Sequence, residues 1–469
     1  MGEQMFQLGE KANNMYFMSF GLRSQMFAKL YLKHNKECRE IILKKMVIDS
    51  IRGNNFWMAM NYALLGEVEW RLLKYELARE YLDRSRVIWE KMENLKEQAH
   101  VINIKAITYQ SQGDYKKAEK YFRESIELAE RGGQKRYALL VMVSLANIAS
   151  EKGNYDFAES KMFDVMEKLS DLGRKKDVEM IADYLGEILS KQGKYNEAMK
   201  YYEMTISYFD RLQMPESAAE VKLHMARNLT DQGKYSEAFS IIEEAQNEFK
   251  KVNLPYYVAE GYETLGYLCF HLADYQLALD NYDRGEAIYE SANAKDKLAD
   301  LIVKKGETFH ELNEFEKSRD YYRQALKTNQ ELGRKNKLAD IYCNLGKSFM
   351  HSGNTDSAMI NFRKSRVIRE EIGDRRGLAE VLINIGALYL SMGQIENGKK
   401  YCLYGYDISS DIGVLKLRQK SSLCLYEAFK TLGNKSLALN FYEEYNMLKD
   451  SLNSDEISRR IQAMEYEQK

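Results

Sequence analysis

Short polar turns recur along the chain between amphipathic runs whose apolar positions follow the helical period of 3.6, and the pattern predicts α-helices from end to end. When the turns are aligned, Tyr75, Tyr115, Tyr155, Tyr195, Tyr235, Tyr275 and Phe315 fall in one slot, 40 residues apart each time. The frame runs on through Thr355, Ile395 and Lys435 with no residue inserted or lost, so ten units cover about residues 54–453.

Two small-residue slots keep this register. Three residues after the turn position stand Ala78, Ala118, Ala158, Ala198, Ala238, Ala278, Ser318, Ala358, Gly398 and Ala438. Nine before it stand Gly66, Ala106, Ala146, Gly186, Ala226, Gly266, Gly306, Gly346 and Gly386, a row broken only by Tyr426. A small residue on each of two helices lets them cross closely, so every unit is expected to be an antiparallel hairpin of a helix A and a helix B. Seven after the turn the side chain is mostly large, as at Leu82, Phe122, Tyr202, Tyr282, Tyr322 and Phe362, and is expected to wedge between neighbouring hairpins. Glycines such as Gly113, Gly153 and Gly193 are placed to end helix A, and Gly133, Gly173, Gly333, Gly373 and Gly413 to end helix B, where a positive φ is needed.

The composition agrees: 45% apolar and 30% charged residues with only two prolines, Pro215 and Pro255, describe a folded helical chain. A formal charge of -1 provides no field to gather nucleic acid or an anionic membrane, and neither partner is expected. Five scattered cysteines without CxxC spacing point to reduced thiols rather than a disulfide frame or a zinc site. No export leader and no run of 18 apolar residues is present, so a cytoplasmic location is expected.

With Leu65-Gly66 and Leu345-Gly346 in helix A, GDYKKA and GKYNEA at the turns, and Tyr or Phe in helix B, the chain resembles tetratricopeptide repeats. It is similar to the 40-residue version of that family, lacking the usual proline near the end of helix B. The resemblance implies an all-α, right-handed superhelical solenoid of antiparallel helix pairs, with about ten regular repeats plus a degenerate N-terminal one. Residues 1–53 would be that degenerate capping repeat, 54–453 the regular units, and 454–469 the start of a coiled-coil or linker helix. In the last segment Ile457, Ile461 and Met464 begin an a/d seam with no helix terminator after it. It resembles the junction in bacterial signalling proteins where such repeats lead into a histidine kinase, a nucleotide cyclase or a LuxR-type regulator. A homodimer through this helix and an output domain beyond it are what that resemblance implies; a solvated capping helix is the alternative.

No catalytic constellation stands out. GxxxxGK[ST] is absent, the six histidines lie in different units without an HExxH pattern, and paired carboxylates read as solvated helix faces. No enzymatic activity, cofactor or metal is expected of these residues. What the fold offers is a concave wall lined by helix A, where the 3.6 period selects Asn103, Asp183, Glu187, Arg227, Glu263, Tyr267, Glu307, His310, Asn344, Lys347 and Asn384 as candidates for holding a protein or peptide segment. Fifteen residues before the turn slot, Glu220, Glu260, Asp300, Asp340 and Glu380 form an acidic ladder. On one reading these acids complement helix dipoles and face Lys295, Lys335 and Arg375 of the links. On the other they select a basic segment. Asn344 and Asn384 could hydrogen-bond the main chain of an extended peptide, as asparagines do in the peptide-sensing regulators this chain resembles, or tie one helix to another. The expected function is a non-enzymatic binding array, the sensory or regulatory module of a bacterial signal-transduction protein, with a passive scaffold as the alternative.

Overall fold

The computed structural model describes residues 2–31, 34–252 and 254–450, and every regular element in them is an α-helix. The first are α1 (Gly2–Lys11), α2 (Met15–Tyr31), α3 (Asn35–Ile51), α4 (Asn55–Arg71), α5 (Tyr75–Lys91), α6 (Leu95–Ser111), α7 (Tyr115–Arg131) and α8 (Lys135–Glu151). Then come α9 (Tyr155–Asp171), α10 (Lys175–Lys191), α11 (Tyr195–Arg211), α12 (Pro215–Asp231), α13 (Tyr235–Lys251), α14 (Pro255–His271), α15 (Tyr275–Ser291) and α16 (Lys295–Glu311). The series continues with α17 (Phe315–Leu332), α18 (Lys335–His351), α19 (Thr355–Ile372), α20 (Arg375–Ser391), α21 (Ile395–Asp411), α22 (Leu415–Thr431) and α23 over 435–450. From α4 on, even-numbered helices are the A helices and odd-numbered ones the B helices. The helix expected from residue 454 lies outside the described residues.

Local chemistry sets these boundaries. Asn54, Asn94, Asp114, Asp274, Asn354 and Asp374 each accept a hydrogen bond from the main-chain N–H three residues on, which satisfies a donor left open at a helix start. Among the described residues, left-handed residues end the helices at twenty-residue spacing: the expected glycines have positive φ, and between them so do Leu73, Glu93, Gln213, Ala273, Asn293 and Asn313. Hairpin turn and inter-hairpin link are therefore the same device. A side chain in this conformation costs roughly 1–2 kcal/mol. Ala273 has φ 61, and Ala273→Gly is accordingly expected to stabilise the chain by about 0.5–1 kcal/mol, read as a higher midpoint in urea.

The chain divides into two compact units, 1–145 and 146 onward. In the first, Ala59, Ala63, Leu82, Trp89, Val101 and Ile104 form a core between α4, α5 and α6. Helices α2 and α3 join it through a buried polar knot. Asp49 accepts from Lys45 Nζ at 2.6 Å, Asn61 Nδ2 at 2.8 Å and Ser19 Oγ at 2.8 Å.

In the second unit Tyr202, Tyr282, Tyr322 and Phe362 are buried. They lie on the glycine of their own hairpin: a Cβ on Gly266 would stand 2.4 Å from Tyr282 Cε1, and one on Gly346 would stand 2.5 Å from Phe362 Cδ1. The expected wedge between neighbouring hairpins is thus first a plug within each one. Successive A helices also touch directly, as α12 with α14 and α18 with α20, while the B helices are held further apart. The stack in this unit curves toward its A helices. Arg376 N–H donates to Lys152 O at 3.3 Å, bringing together hairpins distant in the chain.

One expectation is corrected. Cys402 and Cys424 form a disulfide with their Cα atoms 6.0 Å apart, leaving Cys38, Cys269 and Cys343 as buried free thiols. At residue 402 the slot that is large elsewhere holds a cysteine, whose sulfur fills the space facing Gly386 and reaches α22.

Candidate functional site

The helical period places the predicted stripe on neighbouring A helices, and side chains one hairpin apart meet along it. Arg227 Nη2 donates to Thr264 Oγ1 at 3.2 Å, and the Tyr267 hydroxyl donates to Asp231 Oδ1 at 2.6 Å. Between α14 and α16, Lys297 donates to Glu260 at 2.6 Å while Lys304 stands 3.6 Å from Glu263. Asn344 Nδ2 donates to Glu307 at 3.0 Å between α16 and α18. Lys347 donates to Glu380 at 2.5 Å, and Asn384 Nδ2 lies 3.5 Å from Cys343 Sγ, between α18 and α20. The result is a continuous polar seam along the inner side of α12 to α20.

Glu260, Asp300, Asp340 and Glu380 of the acidic ladder belong to this seam, each beside a basic side chain. Asp300 sits 2.9 Å from Arg334 and 3.5 Å from Lys337, and Asp340 accepts from Arg369 at 2.8 Å. The link residues considered from the sequence point elsewhere: Lys335 pairs with Glu371 and Arg375 with Asp411. Burial would raise the Glu263 carboxyl, but Lys304, Arg227 and Lys297 outweigh it and hold it near 2. Glu380 is held near 2 against the same penalty, chiefly by Lys347. Glu307, whose neighbour Asn344 is neutral, is raised by burial.

These shifts carry a pH dependence. Glu380 has an ordinary value of 4.5 and a folded value of about 2, so the stability it contributes is present above pH 4.5 and is lost as pH falls toward 2. Glu380→Gln is expected to flatten the fall in stability between pH 5 and pH 3, measured by urea unfolding at each pH.

Two other places hold candidate residues. His310 and His351 stack with ring nitrogens 3.0 Å apart, and burial, then His351 and Lys347, lower His310 to about 4. Asp183 and Glu187 on α10 meet His224 on α12, the donor atoms all lying within 4.8 Å of one another. Burial pushes Asp183 up to about 6, opposed by His224 and aided by Glu187. Asn103 stands apart in the first unit beside Tyr137, next to a cavity of about 290 Å³ lined by Met60, Leu64, His100 and Ile104.

Sequence reasoning found Arg227 and Lys347 but missed other residues that stand beside the acids. Lys304 and His224 occupy the same register as Asn344 and Asn384, eleven before the turn slot, and so lie on the stripe considered. Lys297 and Lys337 share a register eighteen before the slot, outside the stripe considered, and reach inward through their long side chains.

Family models described as tetratricopeptide repeat match residues 57–131 and 95–162, residues 180–207, and residues 299–332, 339–365 and 379–409. Tetratricopeptide repeats are thus recognised in both compact units. No curated protein matches the sequence. Among solved structures, a Rap protein complexed with Competence and Sporulation Factor is 15% identical with a TM-score of 0.48, the match covering 85% of this chain and 99% of that one. The apo form of RapI is 16% identical with a TM-score of 0.46, over 59% of this chain and 99% of that one. BtubC (BKLC) from P. vanneervenii is 20% identical with a TM-score of 0.40, over 48% of this chain and 91% of that one.

Proposed function

We propose that the A-helix wall of the second unit is a binding groove for an extended protein or peptide segment, and that the chain acts by recognition rather than catalysis. The observation that carries this reading is the polar seam, which repeats from hairpin to hairpin along α12 to α20. An extended segment presents main-chain donors and acceptors in a row, and a row of side chains able to answer them is what such a segment requires. Asn344 gives one N–H to Glu307 and keeps its carbonyl oxygen as an acceptor. The Asn384 amide faces only a sulfur, a weak acceptor that a peptide carbonyl readily replaces.

Because the ladder is accompanied by lysines and arginines, it does not act as a bare acidic surface. A basic residue of the partner takes the place of a resident cation, and salt weakens binding less than it would for an uncompensated acidic groove. A segment touching several hairpins also biases their stacking, since each hairpin contacts mainly its neighbours. That is how a sensory module of a bacterial signalling protein would report occupancy.

The test is a peptide selected by display on the full chain, with affinity followed by fluorescence anisotropy. The paired change Asn344→Ala and Asn384→Ala is expected to weaken binding at least about tenfold, a loss of about 1.4 kcal/mol. Ile360→Ala, on the exposed side of helix α19, is expected to leave it unchanged. Equal affinity for all three proteins would rule out the groove as the binding surface.

A further inference from the structure

We propose that Asp183, Glu187 and His224 form a binding site for one divalent first-row transition metal ion. Asp183 and Glu187 are four residues apart on α10 and so project from one face of that helix, and His224 reaches them from α12. One donor atom from each lies within 4.8 Å of the other two. His224 Nδ1 stands 3.1 Å from Glu187 Oε1 without the alignment of a hydrogen bond. Two ligands each about 2.1 Å from a common ion stand about 3.0–3.4 Å apart, so this spacing suits two donors on one ion.

A second observation points the same way. Asp183 Oδ1 is shut off from solvent and has no hydrogen-bond partner, a costly condition for a carboxylate oxygen. Neither Asp183 nor Glu187 has an ion pair with a lysine or arginine among the described residues. The wall acids Glu260, Glu263, Asp300, Asp340 and Glu380 each stand beside such a cation. The nearby Lys191 is paired with Glu151 at 2.7 Å. Two carboxylates and a neutral imidazole leave two negative charges that a divalent ion neutralises. The imidazole favours zinc or cobalt over magnesium and calcium, which take oxygen ligands, while the two carboxylates also suit manganese. Three protein ligands leave further positions for water or for a donor atom of a docked segment.

The experiment uses the full chain, without an added histidine tag and stripped with EDTA. It is titrated calorimetrically with ZnCl2, MnCl2 and MgCl2, and CoCl2 binding is read from visible absorption. The expected result is one equivalent of zinc or manganese bound, with magnesium at least about tenfold weaker. Asp183→Asn, Glu187→Gln and His224→Gln should each lower the affinity at least about 100-fold, since loss of a group that merely supports a ligand already costs 10–100-fold. His310→Gln and His351→Gln should change nothing. Absence of one-to-one binding in the parent chain overturns the proposal. So does binding that survives in the three variants while circular dichroism shows them folded.

Discussion

Replacing Arg369 by methionine is expected to lower the unfolding free energy of the second unit by about 3–5 kcal/mol, the usual consequence of removing one partner from a buried ion pair. Arg369 is 4% exposed and its guanidinium bridges Asp340 of α18 and Asp374, the residue that caps α20. Asp374 is buried and accepts from Gly377 N–H at 2.8 Å, so without Arg369 its charge has to be carried in a dry site next to a helix start. Gly377 belongs to the same arrangement. A Cβ there would lie 1.5 Å from Arg369 Nη1, and only glycine leaves room for the guanidinium. Arg369→Lys is expected to recover little, because an ammonium cannot span two carboxylates in a fixed fork. Urea unfolding followed by circular dichroism measures both variants, and a loss below about 1 kcal/mol for Arg369→Met would show that the bridge is not a structural support.

This bridge shows where sequence reading stops. The forty-residue register, the alternation of helices and the turns were legible because each depends on local chemistry repeated in every unit. A glycine at Gly346 and a ring at Phe362, sixteen residues apart, mark one hairpin without any knowledge of its neighbours. The side-chain partners along the wall depend instead on how one hairpin is set against the next. The acids at Asp300, Asp340 and Glu380 were visible as a row, but the residues that pair with them at shortest range, Arg334, Arg369 and Lys347, lie in three different registers, so no single row of cations marks them. Nor does any period mark His224 as the residue that meets Asp183 and Glu187, since that contact belongs to a single pair of hairpins. Cys402 escaped for a related reason: it is a local replacement in a slot whose rule is a large side chain.

Gly346→Val is expected to destabilise by about 3 kcal/mol, the upper part of the range for overpacking a filled core. In an exposed helix, replacing glycine by alanine gains up to about 1 kcal/mol from propensity. Here the sign reverses. A Cβ on Gly346 would stand 2.5 Å from both Phe362 Cδ1 and Cε1, and that ring is fully buried among Cys343, Val381 and Ile385. Gly346→Ala is therefore expected to destabilise as well, by a smaller amount. Phe362→Leu should recover part of the loss when combined with Gly346→Val although it weakens the parent, and that coupling in a double-mutant cycle identifies the contact. A neutral Gly346→Val, or purely additive effects of the two substitutions, would mean that glycine and ring do not meet.

The most direct test of the groove places a photo-crosslinking amino acid in turn at Tyr267 and Asn344 on the A-helix wall and at Ile360 on exposed helix α19, and irradiates each protein with the display-selected peptide. Adducts formed from positions 267 and 344 but not from 360 are the predicted result; capture at 360 with none at the other two would contradict the account.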